Sequence, residues 1–338
     1  MADQLRRITL ASRPQGDATT EHFALETGDI PEPGAGEALV AVDHFSLDPY
    51  MRGRMDDGPS YAEPVAVGAT MGAQGVGRVI ASRADGLSEG DVVTGMTGWA
   101  SHAVLPAEQL TKVPDGVPPT AVLGVLGMPG FTGWFGLTEI GKPKAGETLV
   151  VGAATGPVGS MVGQLAKAYG LRTVAVAGGA DKCEMAREVY GFDAAVDHRA
   201  YGSVSEMRKA LDEAAPDGID IYFENVGGKT LEAVLPLMNT FGRIPVCGMV
   251  AWYDGAGDVQ TTMPALWRTL LVKRMAVQGF IIADHWDRFG AFQSDVAPRV
   301  NKGEIEWRED VAKGIESAPQ AFLDMLKGGN TGKQIVAV

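Results

Sequence analysis

Residues 154–159 read Ala154-Thr155-Gly156-Pro157-Val158-Gly159, a spacing that suits phosphate chemistry. An apolar run, Leu149 to Val151, enters this turn, and a helix-compatible segment, Val158 to Tyr169, leaves it. Glycine removes the Cβ where a backbone must approach phosphate. The start of a helix offers unpaired N–H groups and positive partial charge. The arrangement therefore fits a dinucleotide pyrophosphate. Ala154 stands where the common fingerprint has its first glycine, so the weight falls on context: strand before, helix after, second strand beyond. The bland alternative is a tight turn with no ligand.

The second strand, Arg172 to Ala177, ends in Gly178-Gly179-Ala180, followed by Asp181 and Lys182. An NAD site usually carries an acid near this end to hold the ribose hydroxyls. Here a small loop with Gly179 and Lys182 suits an extra phosphate, which favours NADP over NAD. Asp181 is expected to cap the next helix. The alternative reading makes Lys182 an ordinary solvated lysine.

The elements around these residues form two patterns. Residues 1 to about 115 alternate in short stretches: Ala38–Phe45, Gly75–Ala81, Asp91–Thr94 and Ala100–Leu105 read as strands of an irregular all-β barrel. After Pro118, strands alternate with helix-length segments. The strands are Leu149–Gly152, Arg172–Ala177, Ala194–Val196, Ile219–Phe223, Gly242–Val246 and Ala276–Ile281. The helices are Val158–Tyr169, Asp181–Tyr190, Val204–Ala214, Thr230–Met238 and Pro264–Leu271. This predicts an α/β fold, a doubly wound parallel Rossmann sheet inserted in a β-rich barrel domain. The Rossmann part is placed at 126–295 and the β-rich part at 1–125, completed by 296–338 with a helix at Pro319–Leu326 and a last strand at Gln334–Val338.

At 338 residues the chain suits two domains with a substantial core. Its net charge of −13 and lack of a basic stripe argue against a nucleic-acid partner. The two cysteines, Cys183 and Cys247, make no disulfide framework or zinc knuckle, which fits a reducing compartment. With no apolar leader and no bilayer-length run, the expected location is cytoplasmic, off the membrane.

At these residues the chain resembles the medium-chain dehydrogenase/reductase superfamily. It looks most like the zinc-independent branch of leukotriene B4 dehydrogenase/prostaglandin reductase and 2-alkenal or double-bond reductases. The motifs are Asp48-Pro49-Tyr50-Met51-Arg52, Gly127-Met128-Pro129-Gly130, the 154–159 turn, Gly179 with Lys182-Cys183, Phe223 with Asn225-Val226-Gly227-Gly228, Ile244-Pro245-Val246-Cys247-Gly248, Gln278-Gly279-Phe280 and Asn330-Thr331-Gly332-Lys333. The resemblance spans nearly the whole chain and implies a GroES-like β domain and a homodimer. It implies NADPH-dependent reduction of a carbon–carbon double bond conjugated to a carbonyl. Cofactor contacts would come from Gly156, Pro157, Val158 and Gly159, from Lys182 and Asn225, from Cys247, Gly248 and on to Tyr253, from Phe280, Ile281 and Ile282, and from Asn330. Two positions depart from the family. His198-Arg199 replaces a tyrosine before a basic residue, so His198 or Arg199 would meet the adenosine phosphate. Trp252-Tyr253-Asp254 replaces a loop with tyrosine and asparagine.

Zinc-dependent relatives place His-Glu between glycines where this chain has Gly72-Ala73-Gln74-Gly75, so no metal is expected. An enone without a metal still needs a donor where charge develops on the carbonyl oxygen. Tyr253, in the loop after the fifth Rossmann strand, is the first choice, against a loop aromatic that only packs. For Tyr50, structural and pocket roles stand level. Cys247 is read as close packing rather than a nucleophile, and Trp252, Trp267 and Trp286 as core or as the lining of an apolar cleft. The rival functions are a quinone reductase, a zinc-independent alcohol dehydrogenase and a non-catalytic nucleotide-binding or crystallin-like protein.

Overall fold

The computed structural model describes residues 4–58, 60–253 and 263–338. In chain order its first strands are β1 (Leu5–Leu10), β2 (Phe23–Gly28), β3 (Glu37–Ser46), β4 (Gly75–Ser82), β5 (Val92–Gly95), β6 (His102–Pro106) and β7 (Thr111–Lys112). Then come α1 (Met128–Phe135), β8 (Thr148–Gly152), α2 (Pro157–Ala168), β9 (Arg172–Ala177), α3 (Ala180–Glu188), β10 (Ala194–Asp197) and α4 (Val204–Ala214). They are followed by β11 (Ile219–Phe223), α5 (Gly228–Val234), β12 (Met238–Val246), α6 (Met263–Lys273), β13 (Ala276–Gly279) and α7 (Phe289–Asn301). The chain ends with β14 (Glu309–Lys313), α8 (Ala318–Leu326) and β15 (Lys333–Ala337). Two units divide it: 1–127 with 309–338, and 128–308.

In the second unit six parallel strands lie in the order β10-β9-β8-β11-β12-β13. Thr148 to Gly152 are all buried, as expected of a central strand covered on both faces. Leu149 pairs with Thr173 on one side and Ile221 on the other. The strand order reverses at the parallel β8–β11 pair, with β9 and β10 added on one side and β12 and β13 on the other, so this pair is the switch point where doubly wound sheets bind ligands. Helix α2 can lie close to β8 because Gly159 has no Cβ. One placed there would run into the Ala153 carbonyl oxygen.

The first unit holds a β1–β2 pair and a seven-stranded sheet in which β6 branches off β3. Trp99 anchors its core, with the rings of Phe23 and Phe322 each 5.5 Å away. Arg52, buried in this unit, donates to Asp56 at 2.9 Å and to the Gly16 carbonyl at 2.7 Å.

Several boundaries differ from expectation. The second unit runs to 308 rather than 295 because α7 stays with it. Phe292 packs 5.6 Å from Phe131 and Asp295 accepts a bond of 2.9 Å from Trp134. The helix expected over Thr230–Met238 stops at Val234, and a tight turn through Pro236 leads into β12. β13 ends at Gly279, two residues short. Strands β1, β2, β7 and β14, and helices α1 and α7, were not foreseen. Trp267 and Trp286 are exposed rather than core.

Candidate active site at the carboxyl edge of the parallel sheet

Gly156 is the N-cap of α2, and Pro157 occupies the first turn with its φ already set for helix. A Cβ on Gly156 would stand 3.4 Å from the nearest atom, an ordinary contact. Protein packing therefore requires glycine at 159 but not at 156. The absent Cβ at Gly156 leaves the backbone above the helix start open to close approach, which is what a phosphate needs.

Across the switch point, Asn225 donates from Nδ2 to the Gly152 carbonyl at 2.9 Å, so its amide joins the ends of β11 and β8. Beside it lies Glu224, buried, a strand-end residue to which the sequence assigns no role. Its Oε1 accepts from the Tyr222 hydroxyl at 3.0 Å, from Val226 N–H at 2.7 Å and from Gly227 N–H at 2.8 Å. Those bonds shape the turn into α5, where Gly227 and Gly228 have φ of +76° and +53°. Burial raises the Glu224 carboxyl above its ordinary range, and the bonds it accepts offset only part of that. The only sequence signal was an acid at a strand end.

The Glu224 carbonyl also accepts from Cys247 N–H at 2.9 Å and Gly248 N–H at 3.1 Å, which fixes the end of β12. Burial, with the Glu224 charge behind it, pushes the Cys247 thiol up to about 12, so it stays protonated and inert near neutrality. Trp252 covers Gly227, where a Cβ would lie 2.8 Å from its ring. Tyr253 follows, half-buried. Its hydroxyl reaches back over β12, 3.1 Å from where a Cβ on Gly248 would stand. Asp254 lies outside the described residues. Phe280 turns its ring inward, 5.7 Å from Phe135, and its N–H donates to the Val246 carbonyl at 3.4 Å, just beyond the end of β13.

A second cluster gathers at the ends of β9 and β10. Gly179, not Asp181, is the N-cap of α3, with φ of +97°, and Asp181 falls in the first turn. The Asp197 carboxylate accepts from Gly179 N–H at 2.8 Å and Arg199 N–H at 2.9 Å. Burial works against its ionisation, yet those bonds and the charges of His198 and Arg199 hold it below the ordinary range. A Cβ on Gly178 would stand 2.8 Å from Arg199 Nε and 2.9 Å from His198 Nε2. Burial first, then the cations Arg199, Lys229 and Lys182, lower the His198 pKa against the pull of Asp197. Lys182 is half-buried in the first turn of α3. The residues around Gly178 can thus meet a dianionic group.

Tyr50 and Asn330 belong to the first unit. Tyr50 sits on a turn over Pro49–Met55, where burial and then the Asp48 charge push its hydroxyl pKa upward. The buried Lys333 holds that turn, donating to the Leu47 carbonyl at 2.6 Å and Asp48 Oδ1 at 2.8 Å. Asn330 donates to the Gly332 carbonyl at 2.7 Å. Ala73 is core, and Gln74 donates to the Thr94 hydroxyl at 3.2 Å. Among the described residues no three His, Cys, Asp or Glu gather as a metal site, and no helix is long and apolar enough to cross a membrane.

Comparison with known proteins fits these observations. Residues 6–113 match a family described as the N-terminal domain of oxidoreductase, and residues 157–297 one described as zinc-binding dehydrogenase. The chain is 48% identical to the NADPH-dependent curcumin reductase of Escherichia coli, over 98% of this chain and 96% of that protein. It is 41% identical to the NADP(+)-dependent 2-alkenal reductase of Nicotiana tabacum, over 91% of this chain and 89% of that protein. Among solved structures, CurA from Vibrio vulnificus in complex with NADPH superposes with a TM-score of 0.93 at 45% identity, covering 98% of this chain and 99% of that one.

Proposed function

The chain belongs to the zinc-independent branch of the medium-chain dehydrogenase/reductase superfamily, and on that premise we propose that it reduces the carbon–carbon double bond of α,β-unsaturated aldehydes or ketones with NADPH. The observation that carries this reading is the carboxyl edge of the sheet, with open backbone at Gly156 and cations around Gly178. The pyrophosphate would lie against Gly156, Pro157, Val158 and Gly159. The 2′-phosphate would meet Lys182 with His198 and Arg199 beside Gly179. Asn225, Cys247, Gly248 and the backbone of Phe280, Ile281 and Ile282 would border the nicotinamide.

When bound, reduced nicotinamide supplies the hydride that adds to the β-carbon. The protein's task is then to stabilise charge at the carbonyl oxygen and to deliver a proton to the α-carbon. Tyr253 supplies the hydroxyl donor to the developing oxyanion. Tyr50, kept protonated by its burial, is proposed as an alternative to Tyr253, with a purely structural role standing level. The α-carbon proton comes from solvent or a side chain. The substrate class is supported by relatives that reduce curcumin and 2-alkenals, as their names state. A homodimer is part of the same proposal, supported by the exposed edge strand β13 and the exposed apolar residues of α6.

A panel of a 2-alkenal, an enone, a quinone and a simple ketone, followed by NADPH absorbance with product analysis, tests the reading. Saturated carbonyl products from the first two support it. Oxidation of NADPH by the quinone or the ketone alone would replace it with a quinone reductase or an alcohol dehydrogenase.

A further inference from the structure

We propose that Lys229 is a positioning residue that selects the 2′-phosphorylated cofactor by pinning the His198–Arg199 turn above Gly178. The inference rests on the NADPH reading above. Lys229 lies in the first turn of α5, where the backbone dipole disfavours a cation. Its side chain does not turn away to solvent. Instead Nζ reaches across to the neighbouring crossover and donates to the carbonyls of His198, at 2.9 Å, and Tyr201, at 2.6 Å.

Those two carbonyls bracket the turn that follows β10. The turn is held on its other side by Asp197, whose carboxylate accepts from Arg199 N–H at 2.9 Å and from Gly179 N–H at 2.8 Å. His198 N–H donates to the Ala177 carbonyl at 3.0 Å, which ties the turn to β9 as well. The turn is thus fastened from three directions. Arg199 Nε and His198 Nε2 on that turn lie 2.8 and 2.9 Å from where a Gly178 Cβ would stand. A dianion arriving there meets donors already in place, and preorganised donors lose less freedom on binding than mobile ones. The Lys229 charge also acts on His198 directly, together with Arg199 and Lys182 and against Asp197.

The test uses the intact protein and two probes without nicotinamide, 2′,5′-ADP and 5′-AMP, titrated by calorimetry. Wild type should prefer 2′,5′-ADP. Lys229→Met should weaken 2′,5′-ADP by roughly 10-fold, the scale of one lost charge-assisted contact, and 5′-AMP by less than about twofold. Lys229→Arg, which keeps charge and donors, should recover most of the loss. The His198 imidazole pKa, followed by NMR and assigned with His198→Gln, should rise in Lys229→Met because one neighbouring cation is gone. If wild type does not prefer 2′,5′-ADP, the cofactor reading itself falls. If it does, and Lys229→Met either leaves 2′,5′-ADP unchanged or weakens both probes equally, the role given to Lys229 is wrong. Should Lys229→Met not fold, Lys229→Gln, which keeps a donor but loses the charge, must show the same selective loss and the same rise for His198 or the inference fails.

Discussion

Glu224 and Tyr253 lie at the same sheet edge, where Glu224 shapes the turn into α5 and Tyr253 is the donor proposed for the substrate carbonyl. Tyrosine in the loop after a Rossmann strand is a conspicuous donor, and strand ends point at the ligand. Glu224 gives no such signal, because its role is to accept from Tyr222, Val226 and Gly227, contacts that exist only once the chain is folded. Lys229 was missed for the same reason, since its carbonyl partners lie about thirty residues back. Tyr253→Phe removes the donor proposed for the developing oxyanion. Turnover with an enone should fall by ~100-fold or more, with NADPH affinity little changed, in single-turnover and binding measurements. Near wild-type turnover, where chemistry limits the rate, would remove Tyr253 from the mechanism. The Glu224 prediction concerns stability. Its carboxyl is raised on folding from an ordinary value of 4.5, chiefly by burial, so the folded state holds the proton more tightly than the unfolded chain. That contribution is full below pH 4.5 and is lost as pH rises through the folded value. Glu224→Gln keeps an acceptor for the Val226 and Gly227 N–H groups but cannot ionise. Urea melts over a pH series should show the mutant losing less stability than wild type as pH rises from about 4.5. Parallel pH curves would mean that Glu224 does not ionise differently in the two states.

At the scale of elements, the periodicity placed the central strands of the parallel sheet closely because they are buried on both faces and read as continuous apolar runs. It failed where burial is one-sided or absent. β7 is two exposed residues and β14 has no fully buried one, so neither carries an apolar pattern. α7 was missed because only Phe292 and Val296 are buried along it. The glycine turn shows how one motif mixes two requirements. Gly159 serves the packing of α2 on β8, whereas Gly156 serves nothing the protein itself needs. Gly159→Ala should therefore overpack the helix–strand contact and cost about 1–3 kcal/mol in chemical denaturation. Gly156→Ala should melt like wild type and bind NADPH at least ~10-fold more weakly, because the new methyl group stands where the phosphate approaches. Equal NADPH affinity in Gly156→Ala and wild type would move the pyrophosphate away from this turn.

At the scale of the whole molecule, the second unit presents a surface that a solitary subunit would leave in water at a cost. β13 is the edge of the parallel sheet. Among the described residues it pairs only with β12, and all four of its residues are exposed. Exposed edge strands invite pairing with another chain, and proteins usually shield them with charge, proline or a covering element. β13 reads Ala276-Val277-Gln278-Gly279, with none of these, and Val277 is 46% exposed. Before it in the chain, α6 exposes Trp267 at 62%, Leu271 at 78% and Val272 at 60%. Apolar groups of this size gathered in consecutive elements support the homodimer proposed above. The net charge of −13 would keep copies apart if contact were only electrostatic, so a pairing of two copies must rest on apolar burial and backbone hydrogen bonds. A two-fold pairing of β13 with its own copy satisfies both and closes the assembly at two subunits. Val277→Lys places a charge at the centre of that edge and, in such a two-fold pairing, a like charge on the facing strand. Sedimentation or light scattering at micromolar concentration should then report about half the wild-type mass, with the fold intact by circular dichroism. Raised salt should restore part of the dimer, because the introduced repulsion is screened. A monomeric wild type would overturn the homodimer outright. A Val277→Lys protein that stays dimeric would place the interface elsewhere than at β13.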